Sequence, residues 1–336
     1  MTPIPTVIVT SSPLTLARLH REFASEPGIA IAGHASDLSG AYVLVEQKEP
    51  KLVVLGPELA RHPDFGGILA MFRVMGITWM RIASEPPPPD PVGRAPALDT
   101  SLPAAGMMAQ IRTALSRPAA ETAAAARPAV APVPASGRWR PDRIVLIGSS
   151  TGGIDALLRV LSVFPADCPP TAIVQHTGQA FSDSLIRLLD RCCAASVVPA
   201  QTGLRMAPGT IVVGAGCRGH LRLSAGKPPL TRVDPGDPVS GHLPSVDELF
   251  RSATGLGRSV VAALLTGMGR DGAQGLLELR RAGAQTLAQD EATSVVYGMP
   301  RAAWEIGAAQ AQLPLDRIGA ELLARCADRN AEVTGR

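Results

Sequence analysis

Three residues far apart in the 336-residue chain have the types of an acyl-transfer triad: Ser150, His176 and Asp271. In such a triad a hydroxyl is the nucleophile, an imidazole takes its proton, and a carboxylate orients the imidazole. Each of the three stands just past an apolar run, over residues 144–147, 171–175 and 260–265. Ser150 is also the centre of Gly148-Ser149-Ser150-Thr151-Gly152. This fits G-x-S-x-G, in which a strained strand-to-helix turn lifts a serine hydroxyl clear of a sheet. Those five residues alone leave a second reading open, a β-to-α turn whose glycines only permit close packing. The order Ser, His, Asp departs from the Ser, Asp, His of α/β-hydrolases, which disfavours an ordinary esterase or lipase fold. It does not count against catalysis, because triads are defined by geometry and role.

The apolar runs predict the elements that must bring these residues together. Residues 144–147 form a buried strand, and Leu157, Leu158, Leu161 and Phe164 mark a helix behind the glycines. A second buried strand covers 171–175, with an amphipathic helix over 181–191. Shorter β-rich pieces follow around 211–213 and 220–223, then a loop over 224–243 rich in Pro, Gly and Asp. A helix begins at Ser245, with Glu248 placed for a capping box. The third strong strand covers 260–265, followed by a helix through Leu276, Leu277 and Leu279, a strand at 286–288, and two helical segments after Pro300. The N-terminal part alternates in the same way, with strands at 6–9, 29–32, 52–55 and 77–83. Its helices run through Leu14–Phe23 spacing, 40–49, 68–75 and 107–116. The expected class is therefore α/β, with two doubly wound domains of mostly parallel sheet. In such sheets ligand sites gather at the carboxyl ends of the strands, where all three triad candidates fall.

From Arg117 to about Trp139 the chain is rich in Ala and Pro and has no apolar periodicity, so it reads as a semi-extended linker. The expected division is residues 1–117, a linker over 118–140, and a catalytic domain over 141–330. Hydrophobic residues make up 46% and charged ones 18%, with a net charge of +3 spread along the chain. That leaves no footprint for nucleic acid. No apolar run approaches the ~18 residues a membrane span needs, and the N-terminus lacks a signal peptide's basic region and apolar core. Five cysteines without a C-x-x-C pair favour reduced thiols in the cytoplasm over a disulfide framework or zinc site. Cys192-Cys193 is expected as two small residues on a buried helix. His20, His34, His62, His220 and His242 show no metal spacing and are taken as surface or locally bonded residues. Asp290-Glu291 is taken as a solvated loop. No metal or cofactor is expected. Residues 214–219 spell a literal G-x-G-x-x-G after a strand, with Asp234 downstream, but 220–223 alternates like a strand where a helix should begin, which excludes the dinucleotide reading.

Two resemblances build on these residues. In its spacing and in Leu52-Val53-Val54-Leu55-Gly56, the N-terminal part resembles a response-regulator receiver domain of flavodoxin-like fold. The receiver's acidic pair falls on Thr10-Ser11, its phosphate-accepting aspartate on Gly56, and its lysine after the fifth strand has no counterpart. The resemblance thus implies a degenerate receiver, a docking or inhibitory module without a phosphorylation site or a place for Mg²⁺. Residues 147–153, 173–176, 244–250, 265–273 and 296–300 resemble, in order, the motifs of the chemotaxis protein-glutamate methylesterases, the CheB family. This implies that Ser150 is the nucleophile, His176 the general base and Asp271 its orienter, with the Met268 backbone N–H as oxyanion donor and Thr151 nearby. It also implies a substrate, methylated glutamates on the cytoplasmic helices of chemoreceptors, with methanol released and receptor glutamines deamidated by the same route. Other chemotaxis signalling proteins would meet the receiver-like domain. Thr177, Ile154-Asp155 and His242-Leu243 depart from the family's usual residues, beside the triad, where substrate fit is decided. A receptor-binding scaffold without turnover is the alternative.

Overall fold

The computed structural model describes residues 2–61, 65–83, 96–116 and 139–328, and the chain divides into two units, residues 1–129 and 130–336. The linker expected over 118–140 lies outside the described residues except for Trp139 and Arg140. Among the described residues no helix is long and apolar enough to cross a membrane.

In the first unit the apolar runs become β1 (Ile4–Val9), β2 (Ile29–Ala35), β3 (Leu52–Leu55) and β4 (Thr78–Ile82). A two-residue β5 (Ala97–Leu98) joins the far edge, giving the order β2-β1-β3-β4-β5. All pairings are parallel, and the order is that of flavodoxin-like sheets, the receiver topology. The unexpected strand is β5, too short to carry a periodic pattern. Helices α1 (Pro13–Ala24), α2 (Leu38–Lys48) and α3 (Phe65–Met75) connect β1 to β4 in turn, and α4 (Ala104–Leu115) follows β5. Two of them start on side-chain caps that the sequence carries: Ser12 accepts from Thr15 N–H and Asp37 from Gly40 N–H.

At the carboxyl edge of this sheet, Thr10-Ser11 and Gly56 lie where the receiver comparison puts them, after β1 and β3. The Glu58 carboxylate occupies the space over Gly56. Its Oε1 accepts from Thr10 Oγ1 and Ser11 N–H, each at 2.8 Å, and a Cβ on Gly56 would fall 2.3 Å from it. Burial pushes the Glu58 carboxyl up, but the N–H and hydroxyl donors around it outweigh that and hold it below its ordinary value.

The second unit holds a seven-stranded, wholly parallel sheet built from β6 (Ile144–Ser149), β7 (Thr171–Gln175), β8 (Ser196–Pro199), β9 (Thr210–Ala215), β12 (Val260–Leu264), β13 (Gln285–Gln289) and β14 (Ala311–Leu313). The order is β14-β13-β12-β6-β7-β9-β8. A separate antiparallel hairpin pairs β10 (His220–Leu223) with β11 (Thr231–Asp234). The loop expected over 224–243 therefore contains a strand. Edge strands β8 and β14 were also not expected; they are three or four residues long and mostly half-buried or exposed, so neither gives a continuous apolar run. The central strands do, being buried along their whole length.

Helices α5 (Gly153–Leu161), α6 (Ser182–Cys192) and α10 (Leu315–Cys326) form one layer, with α5 against both others. Helices α7 (Val246–Ser252), α8 (Ala273–Arg281) and α9 (Met299–Glu305) form another, with α8 against both neighbours. From β6 the chain first builds outwards through β7 and later, on the other side, through β12. The order reverses between β6 and β12, and right-handed crossovers send their following helices to opposite faces. In open α/β sheets, ligands bind outside the strands' carboxyl ends at such a reversal. Residues 214–219 lead from β9 into β10 with no helix at the glycines, so nothing there would receive a pyrophosphate.

Candidate active site

The three triad candidates follow the three central strands. Ser150 continues β6, with its N–H on Thr266 O at 3.0 Å, and His176 continues β7, with its N–H on Ser149 O at 3.1 Å. The two adjacent serines are handled differently. Ser149 is wholly buried and its hydroxyl donates to Gln175 Oε1 at 2.6 Å. Gln175 Nε2 in turn donates to the carbonyls of Ser150 and His176 at 2.9 and 2.8 Å, which locks the two strand ends together. The Ser150 hydroxyl takes part in no hydrogen bond among the described residues. Behind it the chain turns sharply, Gly153 N–H bonding Ser150 O at 2.7 Å, and Gly152 adopts φ +77° at the start of α5. A side chain at Gly152 would meet Val295 as well as that unfavourable φ, so the turn requires glycine.

The backbone after β12 passes close over Ser150: a Cβ on Gly267 would lie 2.7 Å from the Ser150 Cβ. Gly267 is anchored on both sides, its N–H on Val296 O and its carbonyl accepting from Gly298 and Met299 N–H. Met268 follows, its N–H unbonded among the described residues and its side chain exposed. Thr151 is buried, and its carbonyl accepts from Thr266 Oγ1 at 2.9 Å.

Asp271 is wholly buried and accepts five hydrogen bonds. Oδ2 takes His176 Nε2 at 2.8 Å and Val246 N–H at 2.7 Å. Oδ1 takes Ser245 Oγ at 2.7 Å, Gly272 N–H at 3.0 Å and Asp247 N–H at 3.1 Å. The carboxylate thus sits on the first turn of α7, where unpaired N–H groups favour a negative charge. Burial pushes this carboxyl up, but hydrogen bonding and charge from His176, aided by Ser245 and Val246, outweigh it and hold it below its ordinary value. With Nε2–H given to Asp271, the other ring nitrogen of His176 is left with its lone pair. That Nδ1 is buried and has no partner among the described residues.

The Ser245 cap is only half a capping box. Its hydroxyl accepts from Glu248 N–H at 3.4 Å. Glu248 does not reach back; it pairs with Arg222, and Ser245 N–H bonds instead to Nδ1 of the buried His220 at 3.1 Å. His242, taken from sequence as a surface or locally bonded residue, lies face to face with His176, ring centroids 3.7 Å apart and planes 5° from parallel. His176, His242 and Asp271 each offer a ligand atom within 4.8 Å of the others. The Asp271 oxygens are already occupied by N–H and O–H donors, however, and stacked imidazoles aim their lone pairs side by side, not at one point. The group therefore suits proton transfer better than a cation.

Residues 145–322 match the family described as CheB methylesterase. A protein-glutamate methylesterase/protein-glutamine glutaminase of Rhizobium etli is 39% identical, over 97% of this chain and 98% of that protein. One of Agrobacterium fabrum is 38% identical over 94% and 95%. The chain belongs to the CheB methylesterase family. Among solved structures, the crystal structure of the Thermotoga maritima CheB methylesterase catalytic domain is similar, with TM-score 0.52 and 34% identity. It covers 54% of this chain and 97% of its own.

Several residues of this CheB-family site have roles that local sequence does not display. Gln175, Ser245 and Gly267 lie inside the motifs, yet their strand-end contacts depend on segments far apart in the chain. His242 stands in the sequence as a departure from the family's motif beside the triad, and the Ser240-Gly241 pair before it is the local signal for its turn, but neither predicts a ring laid on His176. Of the other histidines, His220 is buried and hydrogen-bonded, His20 and His34 meet edge to face, and His62 lies outside the described residues. The cysteine expectation needs correcting: Cys192 is exposed at the last position of α6 and Cys193 lies half-buried beyond it. The helix is amphipathic and its buried face is taken by Leu185, Ile186, Leu188 and Leu189.

Proposed function

We propose that this CheB-family chain is a serine hydrolase that removes methyl groups from glutamate methyl esters on chemoreceptors. Ser150 Oγ attacks the γ-carbonyl carbon while His176 Nδ1 takes the hydroxyl proton, and Asp271 balances the imidazolium that forms. The Met268 N–H, with Thr151 beside it, faces the negative oxygen of the tetrahedral intermediate, worth roughly 3 kcal/mol per donor. The intermediate collapses, the methoxy group leaves as methanol with the proton from His176, and Ser150 is acylated. Water, deprotonated by His176, then attacks the acyl group and frees the glutamate and the serine. An amide in place of the ester leads to the same acyl-enzyme with ammonia as leaving group, which is the glutaminase activity that the relatives' names carry.

The observation that carries this reading is the buried His176–Asp271 pair beside Ser150, with one imidazole nitrogen left free. A scaffold that only bound receptors would have no use for a buried carboxylate with five donors. The test is methanol release from methylated receptor. Ser150→Ala should lower turnover by at least about 10³-fold. Ser149→Ala should cost about 1–2 kcal/mol of stability by leaving Gln175 Oε1 without its donor, with far less effect on turnover. Equal rates from wild type and Ser150→Ala would defeat the reading. We further propose that the first unit is a degenerate receiver, not switched by aspartyl phosphorylation.

A further inference from the structure

We propose that His242 is a positioning residue for the hydrolysis: its ring, laid flat on His176, holds that imidazole in the plane in which one nitrogen meets Asp271 and the other stays free to take a proton. The proposal rests on the triad reading of Ser150, His176 and Asp271.

A histidine ring has little torsional preference of its own, since χ2 is a broad, two-fold rotation. The hydrogen bond to Asp271 holds His176 by one edge only, and the ring can still tilt about that bond. A second flat ring at 3.7 Å and 5° supplies the restraint that the hydrogen bond lacks, and it covers one face of the base from water. His242 is well suited to this because it is itself held. Its Nδ1–H donates to Ser240 O at 3.0 Å. It closes a two-residue hairpin in which Val239 and His242 exchange both backbone hydrogen bonds, at 3.1 and 3.0 Å. Ser240 and Gly241, at φ +52° and +83°, form the tight turn, with both central residues in the left-handed region. Ser240 Oγ reaches Asp247 Oδ2 at 3.3 Å on α7, the same helix whose start cradles Asp271. The stacking ring and the carboxylate are thus fixed to one frame, with the base between them. Burial and the neighbouring His176 push the His242 imidazole below its ordinary value, outweighing the Asp271 charge and the Ser240 hydrogen bond, which favours an uncharged ring beside the base.

The test uses the full chain and reads kcat and KM separately for methanol release from methylated receptor. His242→Ala should lower kcat about 10- to 100-fold with KM changed by no more than about three-fold. His242→Phe, which keeps a flat ring and discards the nitrogens, should recover most of that loss, to within about five-fold of wild type. Wild-type kcat in His242→Ala would overturn the proposal, as would a folded His242→Phe no better than His242→Ala. If His242→Ala fails to fold, His242→Phe decides alone: near-wild-type kcat supports the proposal and a loss beyond about ten-fold overturns it. Ser150→Ala, measured alongside, separates the two levels. Turnover by that variant at the wild-type rate would remove the triad reading and this proposal with it; an inactive Ser150→Ala beside an unimpaired His242→Ala would sink the proposal alone.

Discussion

Asp271 has no exposure and five donors, so its negative charge is held by geometry and not by solvent. Replacing it by Asn keeps the shape but brings an amide N–H₂ against groups that are themselves donors, and it removes the partner that selects the His176 tautomer. Asp271→Asn should lower kcat by about 10⁴-fold and stability by roughly 3 kcal/mol, as expected when one partner of a buried pair is lost. The pH dependence has a definite sign. The folded-state value of this carboxyl lies below its ordinary one, so its contribution to stability is complete above the ordinary carboxylate range. That contribution disappears as pH falls through the lower folded-state value. Denaturant midpoints measured on acidification should therefore fall more steeply below about pH 4 for wild type than for Asp271→Asn.

Among the elements, the start of α7 does more than begin a helix. The Ser245 hydroxyl accepts from Glu248 N–H and donates to Asp271, so one side chain caps the helix and fixes the carboxylate. Ser245→Ala should cost about 1–2 kcal/mol in thermal or chemical denaturation. It should also lower kcat, an effect absent from an ordinary cap. Ser245→Thr, which retains the hydroxyl, should recover both. The capping pair was visible in the sequence as Ser245 and Glu248. Its second half was not realised because Arg222 on β10 competes for the glutamate, a contact between segments that no local pattern contains.

At the scale of the molecule, each unit is a parallel sheet whose strands end in a chemically distinct edge. In the second unit that edge, where the strand order reverses, carries Ser150, His176 and Asp271. In the first unit the corresponding edge is closed by Glu58 over Gly56. Treatment with a small-molecule phosphodonor and Mg²⁺ should leave the full chain without stoichiometric acid-labile phosphate, and Glu58→Ala should not create it, because Gly56 still supplies no acceptor. Stoichiometric Mg²⁺-dependent labelling within residues 1–117 would contradict this.

The α/β class and the residue types that end each central strand are legible in local sequence. A strand buried on both faces must be apolar along its length, and its end is marked by a local change to Gly, Ser or charge. The edge strands β8 and β14 and the strand β11 escaped because three or four partly exposed residues make no such run. The contact between strand ends comes from the folded arrangement, in which the order β12-β6-β7 brings together His176 and Asp271 from 95 residues apart. The same arrangement sets which ring nitrogen meets Asp271, lays His242 on His176 and places Glu58 over Gly56. Each of these depends on side chains from separate segments meeting at one point, which strand order and helix placement control and local spacing does not encode.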